Sequence, residues 1–424
     1  MSNSTLSPVK ISITNVYGGG DYTAQILVGS NQDPANVILD TGSSTLAVKT
    51  TAYKAASDTD LQPTSLAQDV TYGTGGWAGP VVHTSVVFNH AKGSISISDG
   101  PVAITEDAQQ GNFGEADGIM GLAYSVLNQA YDVKGVLQSQ KVDPPVTYPW
   151  PFDVADTQQG IEDFLSQLEH NGPSQPVSPY FAQLEQQGIV MNKFALYTLR
   201  SFPYQPAGAN LKEDLINEPL NQGFLILGGG EEQTDLYEGE FSAVQVVHDE
   251  YYNVNIISAQ LEGAEAITAQ PLQPQFVQDA GSNGIIDSGT NSLALDAQLY
   301  QGLIQSFNKL NPEFGRQIER SGEGNGGIAM YDLNLAAWPT LHFNLQGEDG
   351  NPVTLSCSPD TYWQTNVEPG RALFNINGLP GGGESPNQSI LGLPLMNNYF
   401  TIFDRSVGEQ GIIKFATIKP PVNN

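Results

Sequence analysis

Short apolar runs separated by turns fill the first part of the chain. From Lys10 to about Phe113 the runs include YTAQILVG, NVILDTG, STLAVKT, DVTYGTGG, PVVHTSVVF and SISISDGPVAIT. Apolar residues in these runs either alternate with polar ones or form brief continuous stretches, and both patterns are typical of β-strands. The first part of the chain is therefore predicted to consist almost entirely of strands.

The pattern changes between residues 124 and 190. The proline-rich DPPVTYPWPF is followed by GIEDFLSQLEHNG and SPYFAQLEQQG, whose apolar spacing favours short helices. KFALYTL, at residues 193–199, again reads as a strand, and residues 201–222 form a polar, turn-rich connection. We predict that 124–190 and 201–222 are insertions, and that the chain divides into lobes 1–200 and 201–424.

The second half repeats the style of the first. Strand patterns return in EFSAVQVV, YYNVNIISAQL, LHFNL and VTLSCS, and DAQLYQGLIQSFNKL has helical spacing. The composition, with 45 Gly, 27 Pro and 14% charged residues, also favours a turn-rich β protein. The predicted fold class is all-β with minor helices.

One motif occurs in both halves. VILDTGSSTLAV (37–48) and GIIDSGTNSLAL (284–295) each place an aspartate after an apolar run and before a glycine turn. Taken alone, such an aspartate usually caps a turn by accepting backbone N–H bonds. Each copy is followed, however, by two apolar residues and a glycine, in DGIMGLA (117–123) and SILGLPL (389–395). The shared order indicates a duplicated functional unit.

Together these motifs resemble those of the pepsin-like aspartic proteases. VTYGTGG (70–76) is similar to the family's flap hairpin, ADGIMGLAY (116–124) to the segment that crosses behind the first catalytic loop, and SILGLPLMNNYFTIFDR (389–405) to the closing segment. The resemblance implies a bilobal β fold with two pseudo-symmetric lobes and a central cleft. Its length and single cysteine make the chain most similar to the disulfide-free bacterial homologues of the shewasin type.

The resemblance also implies a set of site residues. Asp40 and Asp287 match the catalytic pair. Gly42 and Gly289 would allow close backbone approach at the loops, Thr41 and Ser288 would tie the two loops together, and Ser43 and Thr290 would bond the outer carboxylate oxygens. Residues matching substrate-binding positions are Tyr72, Gly73 and Thr74 of the flap, Asn291 and Ile119. Two neighbouring carboxylates share one proton, so that one activates a water while the other protonates the peptide carbonyl, with no metal or cofactor.

The chain departs from the family pattern at several positions. Ala47 stands where members commonly carry a tryptophan that hydrogen-bonds the flap tyrosine, and Trp77 is the candidate to replace it in packing. Ala116 replaces a bulkier residue, and Asn291 replaces a small hydroxyl residue. We therefore expect the control of the flap to differ from that of other family members.

Charge and composition limit the classes of partner that the protein is expected to bind. With 16 Lys and Arg against 45 Asp and Glu, the formal net charge is -29, which repels nucleic acids and anionic membranes. Cys357 is the single cysteine, so we expect no intramolecular disulfide. The N-terminal residues lack a signal-peptide pattern, and those before Asp40 already read as strands. We therefore expect a cytoplasmic monomer that is active as translated, without a propeptide.

Other chemistries find less support in the sequence. The five histidines are scattered without metal-ligand spacing, the glycine clusters lack the Gly-Lys-[Ser/Thr] of a phosphate loop, and no Gly-x-Ser-x-Gly elbow is present. The expected activity is hydrolysis of extended peptides or unfolded proteins with apolar residues flanking the cut, at acidic pH. The alternative is a pepsin-fold protein that binds peptides or proteins without cleaving them.

Overall fold

The structure is a computed structural model that describes residues 6–72, 75–105, 107–108, 113–152, 174–208, 212–323, 326–380 and 385–421. Its strands are β1 Val9–Gly18, β2 Asp21–Val28, β3 Asp33–Asp40, β4 Leu46–Lys49, β5 Gln62–Tyr72, β6 Gly75–His90, β7 Gly93–Thr105, β8 Asp107–Ala108, β9 Gly118–Gly121, β10 Gln129–Asp132, β11 Ser174–Pro176, β12 Lys193–Tyr197, β13 Gln222–Leu227, β14 Tyr237–Gln245, β15 Asn253–Val254, β16 Ile256–Leu261, β17 Ile267–Thr268, β18 Gly284–Ile286, β19 Leu293–Leu295, β20 Ile328–Ala329, β21 Leu341–Gln346, β22 Pro352–Cys357, β23 Trp363–Thr365, β24 Arg371–Phe374, β25 Ile376–Gly378, β26 Ser389–Leu391, β27 Tyr399–Asp404 and β28 Ile412–Ile418.

Short helices connect the strands. The α-helices span Lys134–Ser139, Tyr180–Gln186, Lys212–Asn217, Val277–Ala280, Ala297–Leu310, Pro312–Gly322, Pro359–Tyr362 and Leu393–Met396. Single 3₁₀ turns span Ala55–Ser57, Ser125–Leu127, Pro219–Asn221, Pro274–Phe276, Met330–Asp332 and Leu335–Ala337. Strands outnumber helices throughout, so the predicted all-β class with minor helices is confirmed.

The chain forms two compact units. One is Thr23–Ile189, and the other combines Met1–Tyr22 with Val190–Asn424. The first residues of the chain thus belong to the same unit as its C-terminal half. The sequence pattern instead predicts a boundary after residue 200. The division into catalytic lobes at that residue stays a prediction.

The strands of the Thr23–Ile189 unit are hydrogen-bonded in the order β11-β10-β5-β6-β7-β4-β9-β3-β2, with β8 paired to β6. In the second unit, β1-β13-β12-β27-β28-β14 run in order, and separate sheets are formed by β15-β18-β26-β19-β25, by β17-β16-β21-β22 and by β20-β24-β23. In the first unit β9 lies between β3 and β4, and in the second unit β26 lies between β18 and β19. In each unit the two outer strands lead into and out of an aspartate loop.

Alternating burial explains why the strand predictions succeed. On β1 the side chains of Val9, Ile11 and Ile13 are buried, and those of the residues between them are not. Period-two alternation lets a strand cover a core with one face while the other stays polar. The same pattern on β21 buries Leu341 and Phe343.

Two predicted helices are confirmed, and each has a local cause. The helix Ala297–Leu310 begins where the carboxylate of Asp296 accepts hydrogen bonds from the backbone N–H groups of Gln298 and Leu299. Its buried residues Leu299, Leu303 and Phe307 recur every four positions. The helix predicted in SPYFAQLEQQG spans Tyr180–Gln186. The helix predicted in GIEDFLSQLEHNG lies outside the described residues.

Among the described residues, no helix is long and apolar enough to span a bilayer.

Candidate active site

The first aspartate loop is built where β3 ends. Asp40 is the last residue of β3 and is 6% exposed. The backbone N–H of Gly42 donates a hydrogen bond to Asp40 Oδ1 at 2.7 Å. This bond closes the tight turn of the Asp-Thr-Gly sequence and fixes one carboxylate oxygen.

Strand β9 passes between β3 and β4 and supports this loop from behind. It pairs in parallel with β3, with Gly121 opposite Asp40, and antiparallel with β4. Beyond the strand, Leu122 N donates to Asp40 O at 2.6 Å and Ala123 N to Ser43 O at 2.8 Å. A Cβ on Gly121 would lie 2.3 Å from Ser44 Cα, so only glycine fits here.

The second aspartate loop repeats this construction. Asp287 follows β18, is 7% exposed, and its Oδ1 accepts a hydrogen bond from Gly289 N at 2.9 Å. Strand β26 pairs in parallel with β18 and antiparallel with β19. Leu393 N donates to Thr290 O at 2.9 Å, and a Cβ on Gly392 would lie 2.1 Å from that same oxygen. The repeated motifs of the sequence thus correspond to repeated three-strand arrangements.

The two loops differ at the outer carboxylate oxygen. Thr290 Oγ1 donates a hydrogen bond to Asp287 Oδ2 at 2.6 Å, as its position in the motif predicted. The equivalent Ser43 Oγ is buried and makes no hydrogen bond to any residue that the structure describes. The neighbouring hydroxyl of Ser44 instead donates to the carbonyl oxygen of Tyr124 at 2.6 Å.

The remaining predicted residues are placed as follows. Thr41 and Ser288 are buried within their loops. Ile119 is buried on β9, opposite Ile38 of β3 and Ala47 of β4. The backbone oxygen of Asn291 accepts a hydrogen bond from the side-chain amide of Asn375.

The flap residues are described only in part. The backbone of Tyr72 ends β5 and pairs with Gly75, so β5 and β6 form the predicted hairpin. The side chain of Tyr72, and all of Gly73 and Thr74, lie outside the described part of the structure. Trp77, just past the turn, is fully buried. Their roles in substrate binding stay predictions.

A buried polar cluster near the first loop was not predicted from the sequence. Asn128 Oδ1 accepts hydrogen bonds from Thr45 Oγ1 at 2.9 Å and from Gln68 Nε2 at 2.7 Å. These partners are 83 and 60 residues away along the chain. No local pattern signals such a contact, because in sequence Asn128 looks like an ordinary turn residue.

Within the described ranges, no group of three or more His, Cys, Asp or Glu side chains is arranged to hold a metal ion. The prediction that the reaction needs no metal rests on the aspartate pair itself.

Comparison with known proteins identifies the family. The eukaryotic aspartyl protease family matches residues 21–146 and 214–417, which is more than half of the chain and includes both aspartate loops. The chain therefore belongs to this family of pepsin-like aspartyl proteases.

Individual relatives are distant. Gastricsin of Mus musculus is 25% identical over 197 residues, covering 45% of this chain and 42% of the mouse protein, and gastricsin of Rattus norvegicus gives the same identity and coverage. Gastricsin of Cavia porcellus is 22% identical over 414 residues, covering 95% of this chain and 81% of that protein. The match to this chain therefore spans less than half the length of the mouse and rat proteins. The narrower prediction of a bacterial, shewasin-type homologue stays a prediction.

Proposed function

We propose that this protein is an aspartic endopeptidase in which Asp40 and Asp287 act together on one water molecule. The observation that carries the proposal is the shared geometry of the two loops. In each loop, a buried aspartate accepts a hydrogen bond from the backbone N–H of the glycine two residues later. In each, a strand parallel to the one that ends at the aspartate supports the loop. A pair of turn caps with no further function would not require this duplication in both units.

The chemistry follows from two carboxylates that share one proton. The ionised carboxylate takes a proton from the water as the water oxygen attacks the peptide carbonyl, and the protonated carboxyl group donates its proton to the carbonyl oxygen. The resulting tetrahedral intermediate then collapses. The carboxyl group that took the proton of the water passes it to the amine nitrogen, the C–N bond breaks, and the other carboxylate recovers a proton from a hydroxyl group of the intermediate as the product carboxyl group forms. The glycine N–H groups hold Oδ1 of each aspartate in a fixed position during these proton transfers.

The substrate we propose is an extended segment of peptide or unfolded protein with apolar side chains on both sides of the cut. Such a segment adds to the flap hairpin as a strand and gains backbone hydrogen bonds there. An extended peptide also fits the family membership of the chain. Closure of the hairpin would exclude bulk water from the reaction.

The test is hydrolysis of a fluorogenic apolar peptide at acidic pH by the unmodified protein and two variants. We expect Asp40→Asn and Asp287→Asn each to lower kcat by roughly 10³-fold, because neither carboxylate alone supplies both proton transfers. Asp296→Asn is the matched control, since Asp296 is equally buried but caps the helix Ala297–Leu310. Near-normal turnover by either dyad variant would refute the aspartic mechanism.

A second candidate is a protein of this family that binds peptides without cleaving them. The observation that favours it is Ser43 Oγ, which lacks the hydrogen bond that its counterpart Thr290 makes. Binding of a statine-type transition-state analogue without any turnover of a peptide library would support this reading. Turnover that the analogue inhibits would exclude it, because such analogues bind by resembling the tetrahedral state.

A further inference from the structure

The segment after β9 connects the Asp40 loop to the flap hairpin. It contacts the loop through Leu122 N on Asp40 O, Ala123 N on Ser43 O and Ser44 Oγ on Tyr124 O. Four residues after Tyr124, the same segment reaches Asn128, whose side chain faces both the loop and the hairpin. The segment therefore lies against the catalytic loop on one side and against β5 on the other.

Asn128 makes the side-chain part of this connection with a single atom. Its Oδ1 accepts from Thr45, five residues after Asp40, and from Gln68, four residues before Tyr72. Gln68 Nε2 donates a second hydrogen bond to the backbone oxygen of Gln129 at 2.9 Å. Asn128 and Gln68 are each 2% exposed, and Thr45 is 5% exposed, so water does not compete for these bonds.

The position of Gln68 on β5 makes this connection consequential. The pairing of β5 with β6 shifts register between Pro63 and Ala67, and a bulge of this kind allows a hairpin to bend. Pairing of β5 with β10 is limited to Leu66 and Ala67. Gln68 is the next residue toward the flap tip, so its hydrogen bonds fix the hairpin just beyond the bend.

Ala47 strengthens this interpretation. It is fully buried two residues after Thr45, and its methyl side chain has no group with which to hydrogen-bond the flap. A polar link between this side of the loop and the hairpin is made instead through Thr45, two residues before Ala47, and Asn128.

We propose that Asn128 is a positioning residue that couples the flap-bearing strand β5 to the Asp40 loop, so that hairpin closure over a peptide depends on it. The effect on peptide hydrolysis rests on the proposed function, whereas the mechanical coupling does not. A loosened hairpin must be ordered again each time a peptide binds, which weakens binding more than it slows the chemical step.

The central variant is Asn128→Leu, which keeps the side-chain size and removes the acceptor. Backbone amides of residues 68–79 should exchange with deuterium about tenfold faster than in the unmodified protein, since two buried hydrogen bonds are lost. For a fluorogenic peptide, KM and the inhibition constant of a statine-type analogue should rise about tenfold, with kcat within about twofold. Asn128→Asp keeps the acceptor oxygen and should restore KM to within about threefold.

Ser65→Ala is the matched control. Ser65 also lies on β5 and donates to Asp132 of β10, but it does not reach the catalytic loop. If Ser65→Ala raises KM and exchange as much as Asn128→Leu does, or if Asn128→Leu changes neither, the proposal is wrong. Should Asn128→Leu fail to fold, Thr45→Val removes only one of the two bonds, and the same readouts should move in the same direction by a smaller factor.

The two proposals fail differently. Absence of peptide turnover in the unmodified protein would refute the proposed function alone, because exchange of residues 68–79 still reports the coupling. Unchanged exchange in Asn128→Leu, with normal turnover, would refute only the coupling.

Discussion

Thr290 and Ser43 occupy equivalent positions in the two aspartate loops but bond differently. Asp287 accepts one hydrogen bond on each oxygen, from Gly289 N and from Thr290 Oγ1. On the Asp40 side, the glycine bond is present and Ser43 Oγ makes none to the described residues. Two loops that repeat in backbone geometry therefore differ in the hydrogen bonding of the hydroxyl group three residues after each aspartate.

Replacing Thr290 tests the importance of its hydroxyl. Thr290→Val keeps the shape of the side chain but leaves the buried Asp287 Oδ2 without this donor, and a buried acceptor that loses its hydrogen bond costs about 1–3 kcal/mol. We expect kcat/KM for a short peptide to fall roughly tenfold or more. Thr290→Ser, which retains the hydroxyl, should stay close to the unmodified protein, and equal activity of both variants would contradict this role.

Glu231 shows how a single carboxylate links several strands. It accepts hydrogen bonds from Lys193 of β12 at 2.8 Å and from Lys414 of β28 at 2.9 Å, and Lys414 also bonds Asp404 of β27. Burial alone would raise the pKa of Glu231, but the two ammonium groups outweigh it and lower that pKa to about 2. Glu231 therefore stays charged in acid strong enough to neutralise most carboxylates.

The lowered pKa predicts how stability depends on pH. Glu231 stabilises the folded state fully above its ordinary pKa near 4.5, and this contribution is lost as pH falls toward about 2. Glu231→Gln should lower the free energy of unfolding by about 1 kcal/mol at pH 6, a small value because the pair is partly exposed. Urea titrations should show that difference vanishing near pH 2. Glu238→Gln, which alters an exposed carboxylate of β14, is the control and should show no such dependence.

At the scale of elements, the central strands β9 and β26 support the two aspartate loops. Each runs parallel to the strand that leads into an aspartate and antiparallel to the strand that leaves the loop. Gly121 and Gly392 sit where backbone meets backbone. A side chain at either position would push the loop away from its support.

Gly392→Ala should therefore be strongly destabilising. Its Cβ would lie 2.1 Å from Thr290 O and 2.4 Å from Ser292 O, and neither backbone atom can move without disturbing the Asp287 loop. Overpacking of this kind costs about 3 kcal/mol, measurable by chemical denaturation. Gly135→Ala is the control, because nothing lies within 4 Å of its added Cβ and it sits in the helix Lys134–Ser139. An unchanged unfolding midpoint for Gly392→Ala would disprove the close packing.

Elements with a strong local signal could be predicted, but one such helix was missed. The helix Ala297–Leu310 can be predicted from its Asp296 cap and from the four-residue spacing of its buried apolar residues. The helix Pro312–Gly322 was not predicted, although local signals mark its start: the Asn311 side chain accepts a hydrogen bond from Glu313 N, and a proline occupies the first helical position. Its buried Phe314 and Ile318 lie four residues apart, and Phe314 packs edge-to-face against Phe307 of the preceding helix. This helix could therefore have been predicted from its sequence.

At the scale of the whole molecule, part of the candidate site could be predicted from the sequence and part could not. Both aspartate loops could be found from sequence, because each motif is short and its glycine turn is local. The Asn128 cluster could not be found, because its partners are brought together only by the sheet. The unequal bonding of Ser43 and Thr290 was also beyond sequence, since both residues carry the same functional group.

The whole molecule should work best in acid. When both carboxylates are ionised, no proton is available for the peptide carbonyl, so we expect kcat/KM to fall steeply as pH rises toward neutrality. The formal net charge of -29 opposes ionisation of a further carboxylate only weakly at physiological salt, where charges beyond about 8 Å are screened. A pH profile of peptide hydrolysis is the measurement, and a maximum at or above pH 7 would contradict the expectation.

The pairing of β1 with β13 has a consequence for synthesis on the ribosome. Val9 lies opposite Leu227, so β1 emerges on the order of 200 residues before its partner, a delay of roughly 10 to 40 s at ordinary elongation rates. Residues 23–189 form a contiguous unit and can fold during that interval. Throughout it, the backbone N–H and C=O groups of β1 that pair with β13 lack that partner, and an unpaired strand edge of this kind is open to pairing with other nascent chains.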